Sequence, residues 1–491
     1  MSVRVRFAPS PTGYLHIGGL RTALYNYLFA KKNNGSFILR IEDTDKTRYV
    51  EGAIENLIES LHWAGVDYDE GPNKDAGLGP YIQSERLDLY KKYAKELIEN
   101  GNAYYAFDTS EEIEQARQIQ QSQKTDFKYN RKEMRNQITL GNEETKRLLD
   151  SGASFVIRLK VPENQLVKFK DIIRGEVTVN SHEVDDQVLL KSDGYPTYHL
   201  ANVVDDYLMQ ISHVIRGEEW LPSTPKHVLL YQAFGWKIPF FAHLPLLLNK
   251  DKSKLSKRQG SVAVEDFRDK GYLRDALVNF VALLGWNPSA DKEIYTMNEL
   301  IENFHLEKVN KAGAVFDTQK LDWMNQQYLK NLPNESLASL LANELYKSGE
   351  LNYPLTYLEK VANLFKERVT FISEIPAIAS YMFDSPKEFE LDYFKKHWKE
   401  NIKDLTEELI KLLEETDDFS HSNLHIQINQ FNEKHSIKLK EIIHPIRLML
   451  TGKSTGAGMF ETMEILGKKE CINRMNYFVK EKLKEYENIN S

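Results

Sequence analysis

The stretch RFAPSPTGYLHIGG, residues 6–19, indicates how the first part of the chain folds. Apolar and basic residues alternate over residues 3–7, which is the period-two pattern of a β-strand. Prolines and a glycine then interrupt the strand, and the apolar residues that follow share one face of a helix. His16 stands at the predicted helix start, where backbone N–H groups attract anions, and Gly18 and Gly19 permit a close approach. A phosphate site fits this pattern, but an ordinary structural turn fits it as well.

Length and composition limit the class of protein. A chain of 491 residues should hold roughly two to four domains, and its composition is ordinary for a soluble globular protein. No apolar run approaches the roughly 20 residues that span a bilayer, and Arg4, Arg6 and Pro9 interrupt any secretory signal. The single cysteine, Cys471, excludes an internal disulfide and a cysteine-cluster zinc site, so we expect a reducing cytoplasm. The net charge of −8 argues against a histone-like binder but leaves a tRNA partner open.

Two further stretches place charged residues where predicted strands end. FILRIEDTD, residues 37–45, begins as a buried strand and ends in three carboxylates, among them Glu42. VIRGEEW, residues 214–220, ends a strand before Arg216 and two glutamates. Ligands of open α/β sheets bind at the carboxyl ends of strands. The alternatives are an acidic helix cap and, for Arg216, a salt bridge to the neighbouring glutamates, which the local pattern favours.

A third informative stretch, KLSKR at residues 254–258, lies in a polar loop over residues 249–261. Basic residues at this density do not suit a packed helix. Composition favours a mobile basic loop, while the alternative is a cationic clamp over a polyphosphate, because a mobile loop can close for chemistry and open for product release.

The remaining pattern divides the chain. A charged helix and short strands over about residues 105–188 interrupt the α/β pattern, which indicates an α+β insertion. This segment also carries a cluster of basic residues, which either contacts nucleic acid or is a solvated helix face. After about residue 325 nearly all patterns predict helix, including continuous helices over 353–371 and 391–415.

Helix start signals fall at two places in the α/β part. Ser84 is a candidate N-cap for a helix over residues 84–101. Thr224, followed by Pro225, is a candidate N-cap for a helix over residues 226–234.

These motifs together resemble a known family. PSPTGYLHIGG and KLSKR resemble the two signatures of class I aminoacyl-tRNA synthetases, and the whole pattern is similar to glutamyl-tRNA synthetases of the bacterial type. Further stretches match that family in order along essentially the whole chain: RIEDTD, GPYIQSER, KSDGYPTYHLANVVDD, VIRGEEW and PIRLMLTG. One departure is Gly19, which stands where the general signature has a second histidine.

The resemblance implies an α/β fold: a Rossmann-type class I synthetase catalytic domain with an α+β insertion, followed by an all-α anticodon-binding region. The implied segments are the first catalytic half (1–104), the inserted acceptor-stem-binding domain (105–187), the second catalytic half (188–249), the KLSKR loop with a stem-contact helical region (250–325) and two anticodon-binding helical subdomains (326–384 and 385–491).

The resemblance also implies a reaction, the ATP-dependent attachment of L-glutamate to tRNA(Glu) through glutamyl-adenylate, with Mg²⁺ on the ATP phosphates and no protein-bound zinc. The implied catalytic residues are His16, Lys254 and Lys257. The implied ATP-binding residues are His16, Gly18, Gly19, Glu219, Leu247, Lys254, Ser256 and Lys257. The implied glutamate-binding residues are Arg6, Ala8, Ser10, Glu42, Tyr198, Asn202 and Arg216.

The implied glutamate residues suit their ligand. Glutamate carries two carboxylates and one ammonium group, so two arginines, Arg6 and Arg216, and one carboxylate, Glu42, complement its charge. Glutamine would leave a buried guanidinium without its anion and would therefore be rejected.

In the helical tail the resemblance implies anticodon contacts for Arg368 and Arg447. With an arginine at position 368, the chain resembles those enzymes of the family that charge tRNA(Glu) and refuse tRNA(Gln). The resemblance further implies a cytoplasmic enzyme, expected to be a monomer. Two alternatives stay open: a non-discriminating enzyme that also charges tRNA(Gln), and a catalytically silent tRNA-binding protein.

Overall fold

The computed structural model describes residues 2–255, 262–347, 349 and 353–490. The chain forms two compact units, Met1–Lys270 with Arg274–Leu321 and Gly271–Leu273 with Asp322–Ser491. In the part of the chain that is described, no helix is both long and apolar enough to cross a membrane.

The first unit combines short strands with helices. Its strands are β1 (Arg4–Phe7), β2 (Ser36–Leu39), β3 (Ala103–Ala106), β4 (Val156–Leu159), β5 (Leu166–Asp171), β6 (Gly175–Asn180), β7 (Val188–Leu190), β8 (His213–Gly217), β9 (Phe240–Leu244), β10 (Leu247–Leu248) and β11 (Ala314–Val315). Its helices are α1 (Ile17–Lys32), α2 (Ala53–Trp63), α3 (Leu87–Glu99), α4 (Ser110–Ser122), α5 (Gln137–Asp150), α6 (Tyr198–Leu208), α7 (Thr224–Ala233), α8 (Val264–Lys270), α9 (Arg274–Ala282) and α10 (Met297–Asn303).

Parallel strand pairs form the centre of this unit. β1 pairs with β2, and β8 pairs with β9, both in parallel. The N–H of Ser212, just before β8, donates to the carbonyl of Arg4 in β1, so these strands lie side by side. The predicted α/β fold is therefore confirmed, with its strand ends available for a ligand.

The predicted strand–turn–helix at residues 6–19 is also confirmed. Helix α1 follows β1, and its apolar side, which includes Leu20, Leu24 and Leu28, is fully buried. The chain then turns back into β2 at Gly35, where a Cβ atom would lie 2.2 Å from the carbonyl oxygen of Val3. Only glycine allows this close approach between the two strands.

The segment that interrupts the α/β pattern contributes to two sheets. β3, β4 and β7 form an antiparallel sheet. β5 and β6 form an antiparallel hairpin, and β5 also pairs in parallel with β9 through Asp171 and Phe241. The hairpin thus extends the sheet that contains β8 and brings Asp171 into its interior.

Both predicted helix caps are wrong, because tertiary contacts use the residues differently. Helix α3 begins at Leu87 after a 3₁₀ turn, and the N–H of Ser84 donates to Asp43 Oδ1 at 2.8 Å. Thr224 is already inside α7, and its hydroxyl accepts a hydrogen bond from Arg216 at 2.9 Å.

The second unit is helical throughout its described residues, as predicted. Helix α11 (Thr318–Asn331) spans the unit boundary, and the later helices are α12 (Asn334–Lys347), α13 (Leu355–Phe365), α14 (Ile375–Ile378), α15 (Ser380–Phe383), α16 (Leu391–His397), α17 (Ile402–Glu415), α18 (His421–His435), α19 (Leu439–Thr451), α20 (Met459–Leu466), α21 (Lys468–Tyr477) and α22 (Leu483–Asn490). They surround two apolar cores, and Arg474 links them by donating to the carbonyls of Tyr381 and Leu450.

The two continuous helices predicted here are wrong in length. The predicted helix over 353–371 ends at Phe365. The predicted helix over 391–415 is broken between α16 and α17, where Trp398 is extended and packs on Phe394 and Phe478. Local periodicity does not register this long-range aromatic contact.

Candidate active site

One cavity of about 700 Å³ lies where β1, β2 and β8 end. It is lined by every described residue to which a catalytic, ATP-binding or glutamate-binding role is predicted: Arg6, Ala8, Ser10, His16, Gly18, Gly19, Glu42, Tyr198, Asn202, Arg216, Glu219, Leu247 and Lys254. Ser256 and Lys257 lie outside the described residues. The fold therefore collects residues from seven separate stretches of sequence at one place, while their roles remain predictions.

The HIGG turn forms one wall of the cavity. His16 caps helix α1, and its Nδ1 atom accepts a hydrogen bond from the N–H of Gly18 at 2.9 Å. Because Nδ1 is an acceptor, the neutral imidazole carries its proton on Nε2. The turn thus combines an imidazole donor with the N-terminus of a helix, which attracts a phosphate.

Both described ends of the KLSKR loop are tied to this region. At the start of KLSKR, the N–H of Leu255 donates to the carbonyl of Leu247 at 2.9 Å. After it, the carbonyl of Val262 accepts from the N–H of Ile17 at 2.8 Å, directly beside His16. Lys254 consequently lines the cavity, and Lys257 follows Leu255 by two positions in the sequence.

A buried ionic cluster surrounds Arg6. Asp206 binds Arg6 through two hydrogen bonds of 3.0 and 3.2 Å and accepts a third, at 2.6 Å, from Arg40. Arg40 also donates to Glu42 at 2.9 Å. With its amide oriented to satisfy its neighbours, Asn202 accepts from both guanidinium groups. The charge of Arg6 is therefore compensated within the protein.

The ionisation of this cluster follows from its burial and its pairing. Burial raises the pKa of Glu42, and the adjacent Arg40 guanidinium only partly opposes this. Burial also disfavours the charged form of Asp206, but Arg6 and Arg40 outweigh it and lower the pKa of that carboxyl. The lowered pKa keeps Asp206 ionised under more acidic conditions than an ordinary aspartate, whereas the raised pKa makes Glu42 easier to neutralise with acid.

Arg216, at the end of β8, has a different environment. Its Nε donates to His243 Nε2 at 3.1 Å, and Nη1 donates to the hydroxyl of Tyr198 at 2.8 Å. The longer contact to His227 Nδ1 is 3.3 Å, and Nη2 donates to the Thr224 hydroxyl at 2.9 Å. Every acceptor here is a neutral group, and no described carboxylate pairs with Arg216.

The salt bridge from Arg216 to its neighbouring glutamates is therefore not found among the described residues. Glu218 pairs instead with Arg174 at 2.5 Å and accepts the N–H of Leu246 at 2.8 Å. Arg216 is 5% exposed and lines the cavity, so it presents a buried positive charge that no described carboxylate compensates.

The histidines near Arg216 stay neutral. Burial, reinforced by the charge of Arg216, holds the pKa of His227 well below its usual range. Burial and the charges of Lys226 and Arg216 lower the pKa of His199 to about 3. Burial likewise lowers the pKa of His243, although Asp171 opposes the shift. These rings accept hydrogen bonds without adding charge.

Sequence reasoning did not find several residues of this region. Arg40 and Asp206 lie within quoted motifs, and their acidic or basic character was the only available signal. His243 and Asp171 are 72 residues apart in sequence and belong to no motif, so only the pairing of β5 with β9 reveals their contact.

The two predicted anticodon residues lie in the second unit. Arg368 is exposed, and Arg447 is half-buried, with Nη1 donating to the carbonyl of Ala457 at 3.0 Å. Nothing in this geometry assigns either residue a base.

Comparison with known families agrees with this architecture. The family of class I tRNA synthetase (E and Q) catalytic domains matches residues 2–323, and the anticodon binding domain family matches residues 336–479. The fold, the cavity and these matches define a class I aminoacyl-tRNA synthetase.

Similar proteins identify the family within this class. The glutamate–tRNA ligases of Chloroherpeton thalassium and Chlorobaculum parvum are 52% and 51% identical to this chain. Each match covers 96% of this chain and 97% of the relative. The chain belongs to the glutamate–tRNA ligase family. A solved glutamate tRNA ligase from Elizabethkingia meningosepticum, in complex with its amino acid, is 43% identical with a TM-score of 0.93, covering 98% of this chain and all of that one. The predicted family, fold class and enzyme class are confirmed.

Proposed function

We propose that this cavity joins L-glutamate to ATP as glutamyl-adenylate and that the enzyme then transfers the glutamyl group to the 3′-terminal adenosine of tRNA(Glu). The charge pattern of the cavity carries the proposal, because the uncompensated Arg216 and the buried carboxylate Glu42 line the same space as the HIGG turn. Free glutamate and the phosphates of ATP carry the complementary charges.

We assign the side-chain carboxylate of glutamate to Arg216. That carboxylate keeps its charge throughout the reaction, whereas the α-carboxylate becomes a neutral acyl group, so a permanent uncompensated cation matches the side chain better. Glu42 is assigned to the ammonium group, with Ser10 and the Tyr198 hydroxyl near it in the cavity. Arg6 offers hydrogen bonds while Asp206 already compensates its charge.

Activation requires charge stabilisation more than a protein nucleophile. An α-carboxylate oxygen attacks the α-phosphorus, the bond from phosphorus to its bridging oxygen breaks, and pyrophosphate leaves with the electron pair. Negative charge develops on the phosphoryl oxygens, which fixed donors stabilise. We propose that His16 Nε2 and Lys254 supply such donors, together with Lys257. Mg²⁺ bound to the phosphates would add positive charge there, and we propose no protein ligand for it.

In the second step a hydroxyl of the terminal ribose attacks the glutamyl carbonyl. The bond from that carbonyl to the phosphate oxygen breaks, AMP leaves with the electron pair, and the hydroxyl proton is released. The electrostatic groups that stabilise the adenylate also stabilise the departing phosphate.

For the tRNA we propose that Arg368 and Arg447 contact the anticodon and that the enzyme charges tRNA(Glu) but not tRNA(Gln). The exposed guanidinium of Arg368 suits contact with a base edge, to which arginine donates bidentately. Charging assays with both tRNAs test this proposal. Equal rates would leave the non-discriminating alternative standing.

We also propose that the enzyme is cytoplasmic and monomeric and that it binds no zinc. We propose for its domains the boundaries predicted from the sequence. The only cysteine, Cys471, is buried in the second unit, where burial raises the pKa of its thiol to about 12, so a thiolate ligand there is disfavoured.

The deciding experiment is glutamate-dependent ATP–pyrophosphate exchange, measured with and without tRNA(Glu). Exchange that requires glutamate is the expected result, and we expect tRNA(Glu) to be needed for it. Binding of tRNA(Glu) without exchange under either condition would support the catalytically silent alternative and would overturn the proposed activity.

A further inference from the structure

We propose that Asp171 and His243 are positioning residues for Arg216. Asp171 fixes the imidazole ring of His243, and this ring accepts a hydrogen bond from the Arg216 guanidinium without compensating its charge. This inference rests on the proposed function, in which Arg216 binds the glutamate side chain. Neither residue lines the cavity, so neither is expected to touch the substrate.

Asp171 is held as a rigid, acceptor-only group. It is fully buried at the end of β5, and its Oδ1 accepts the N–H groups of Ile173 and Arg174 at 2.9 and 2.8 Å. Its Oδ2 accepts from the backbone N–H of His243 at 3.1 Å and from the ring Nδ1 at 2.6 Å. Burial opposes ionisation, but the hydrogen bonds from His243 and the two N–H groups outweigh it and lower the pKa of this carboxyl.

A carboxylate at Nδ1 determines the tautomer of His243. Since the carboxylate only accepts, Nδ1 must carry the proton, and Nε2 presents a lone pair. That lone pair lies 3.1 Å from Arg216 Nε and 3.2 Å from the Thr224 hydroxyl. The chain of contacts from Asp171 through His243 therefore ends at the guanidinium with a neutral acceptor.

Placing the anion one ring away has a functional consequence. Asp206 binds Arg6 directly and compensates its charge, whereas Asp171 reaches Arg216 only through the neutral ring of His243. Arg216 thus gains orientation while most of its charge is left for a ligand carboxylate. The hairpin of β5 and β6 supplies this support from the segment that interrupts the α/β pattern.

The first test is Asp171→Asn. The asparagine oxygen can still accept from Ile173 and Arg174, but its amide group would donate to His243 Nδ1 and move the ring proton to Nε2, facing Arg216 Nε–H. We expect the KM for glutamate to rise roughly 10- to 100-fold, while the KM for ATP stays unchanged. The matched control is Asp186→Asn, a buried aspartate of the same segment that contacts Tyr104 and should leave the KM for glutamate unchanged.

A second pair of variants keeps the inference testable if Asp171→Asn does not fold. Glutamine in His243→Gln offers an NH2 donor group and a carbonyl acceptor in place of the ring, whereas leucine in His243→Leu offers neither. We expect the leucine variant to show a KM for glutamate roughly tenfold or more above that of the glutamine variant. Equal KM values for glutamate in the two variants would overturn the positioning role. Equal rises in the KM for glutamate and in the KM for ATP would overturn it as well.

Arg216→Gln separates failure of this inference from failure of the proposed function. If Arg216→Gln raises the KM for glutamate but Asp171→Asn and His243→Leu do not, only the positioning role is wrong. If Arg216→Gln itself leaves the KM for glutamate unchanged, the proposed glutamate site is wrong and the positioning role falls with it.

Discussion

The two arginines of the cavity, Arg6 and Arg216, are equally buried but differ in what surrounds them. The carboxylate of Asp206 compensates the charge of Arg6 and also accepts a hydrogen bond from Arg40. Around Arg216, the described acceptors are neutral, and they include the imidazole ring of His243 and the hydroxyl groups of Tyr198 and Thr224. The difference teaches that the charge available to a ligand depends on the acceptors that the fold provides and not on the arginine itself.

The physical basis is the cost of a buried charge. An ion taken out of water is stabilised only by a counter-ion or by hydrogen bonds. Arg6 receives both from Asp206 within the protein, so removing that carboxylate would leave a buried charge unpaired. Arg216 receives only hydrogen bonds from its described neighbours, so a bound carboxylate would complete its environment, and we expect the site to prefer an anion.

The largest effect is expected from Arg216→Gln. Without the guanidinium, the glutamate carboxylate would be buried without a partner, so we expect kcat/KM for glutamate to fall roughly a thousandfold. Arg4→Gln is the matched control, because Arg4 pairs with Glu70 outside the cavity. A similar fall in both variants would show that the effect is structural.

The next largest effect is expected on stability. Asp206→Asn leaves Arg6 and Arg40 without their shared carboxylate, so the free energy of unfolding of the intact protein should fall by about 3 kcal/mol. Asp193→Asn, at an exposed position of the same motif, is the control. In the same denaturant titration, Arg216→Gln should lower the free energy of unfolding less than Asp206→Asn does. The reverse order would contradict the proposed difference between the two arginines.

A third variant tests a cation that we assign to ATP. Lys257→Ala should lower kcat about 100-fold with little change in the KM for glutamate, because the charge it stabilises develops only in the transition state. Lys250→Ala, whose lysine pairs with Asp317, should change kcat little. A loss confined to the KM for glutamate would contradict the assignment.

The smallest effect concerns the neutral histidines. The pKa of His199 is about 3 in the folded protein, below the ordinary value of 6.5. The unfolded chain therefore binds more protons, so this contribution to stability is present above the ordinary value and is lost as the pH falls towards the folded pKa. His199→Gln should reduce the loss of unfolding free energy between about pH 7.5 and about pH 5.5. An unchanged loss would show that the ring is not held neutral.

Much of this fold follows from local sequence. The strand, turn and helix around residues 6–19, the strands β4 to β6 and the helical tail are all visible in their periodicity. The helix limits at Ser84 and Thr224 are not, because distant partners use those residues, and the break at Trp398 depends on a ring from another helix.

The candidate site divides in the same way. Residues in the motifs that resemble the family, such as His16 and Glu42, are predictable and do meet in one cavity. Compensation of charge is not predictable, since local spacing favours glutamate partners for Arg216 whereas folding brings His243 and Thr224 to it. Whether an arginine is available to a ligand is settled only by such long-range contacts.

The most direct test compares glutamate with glutamine in ATP–pyrophosphate exchange in the presence of tRNA(Glu), for the unmodified enzyme and for Arg216→Gln. If the uncompensated charge of Arg216 reads the side-chain carboxylate, the unmodified enzyme will prefer glutamate strongly and the variant will lose most of that preference. A variant that retains the original ratio of the two kcat/KM values would contradict this account.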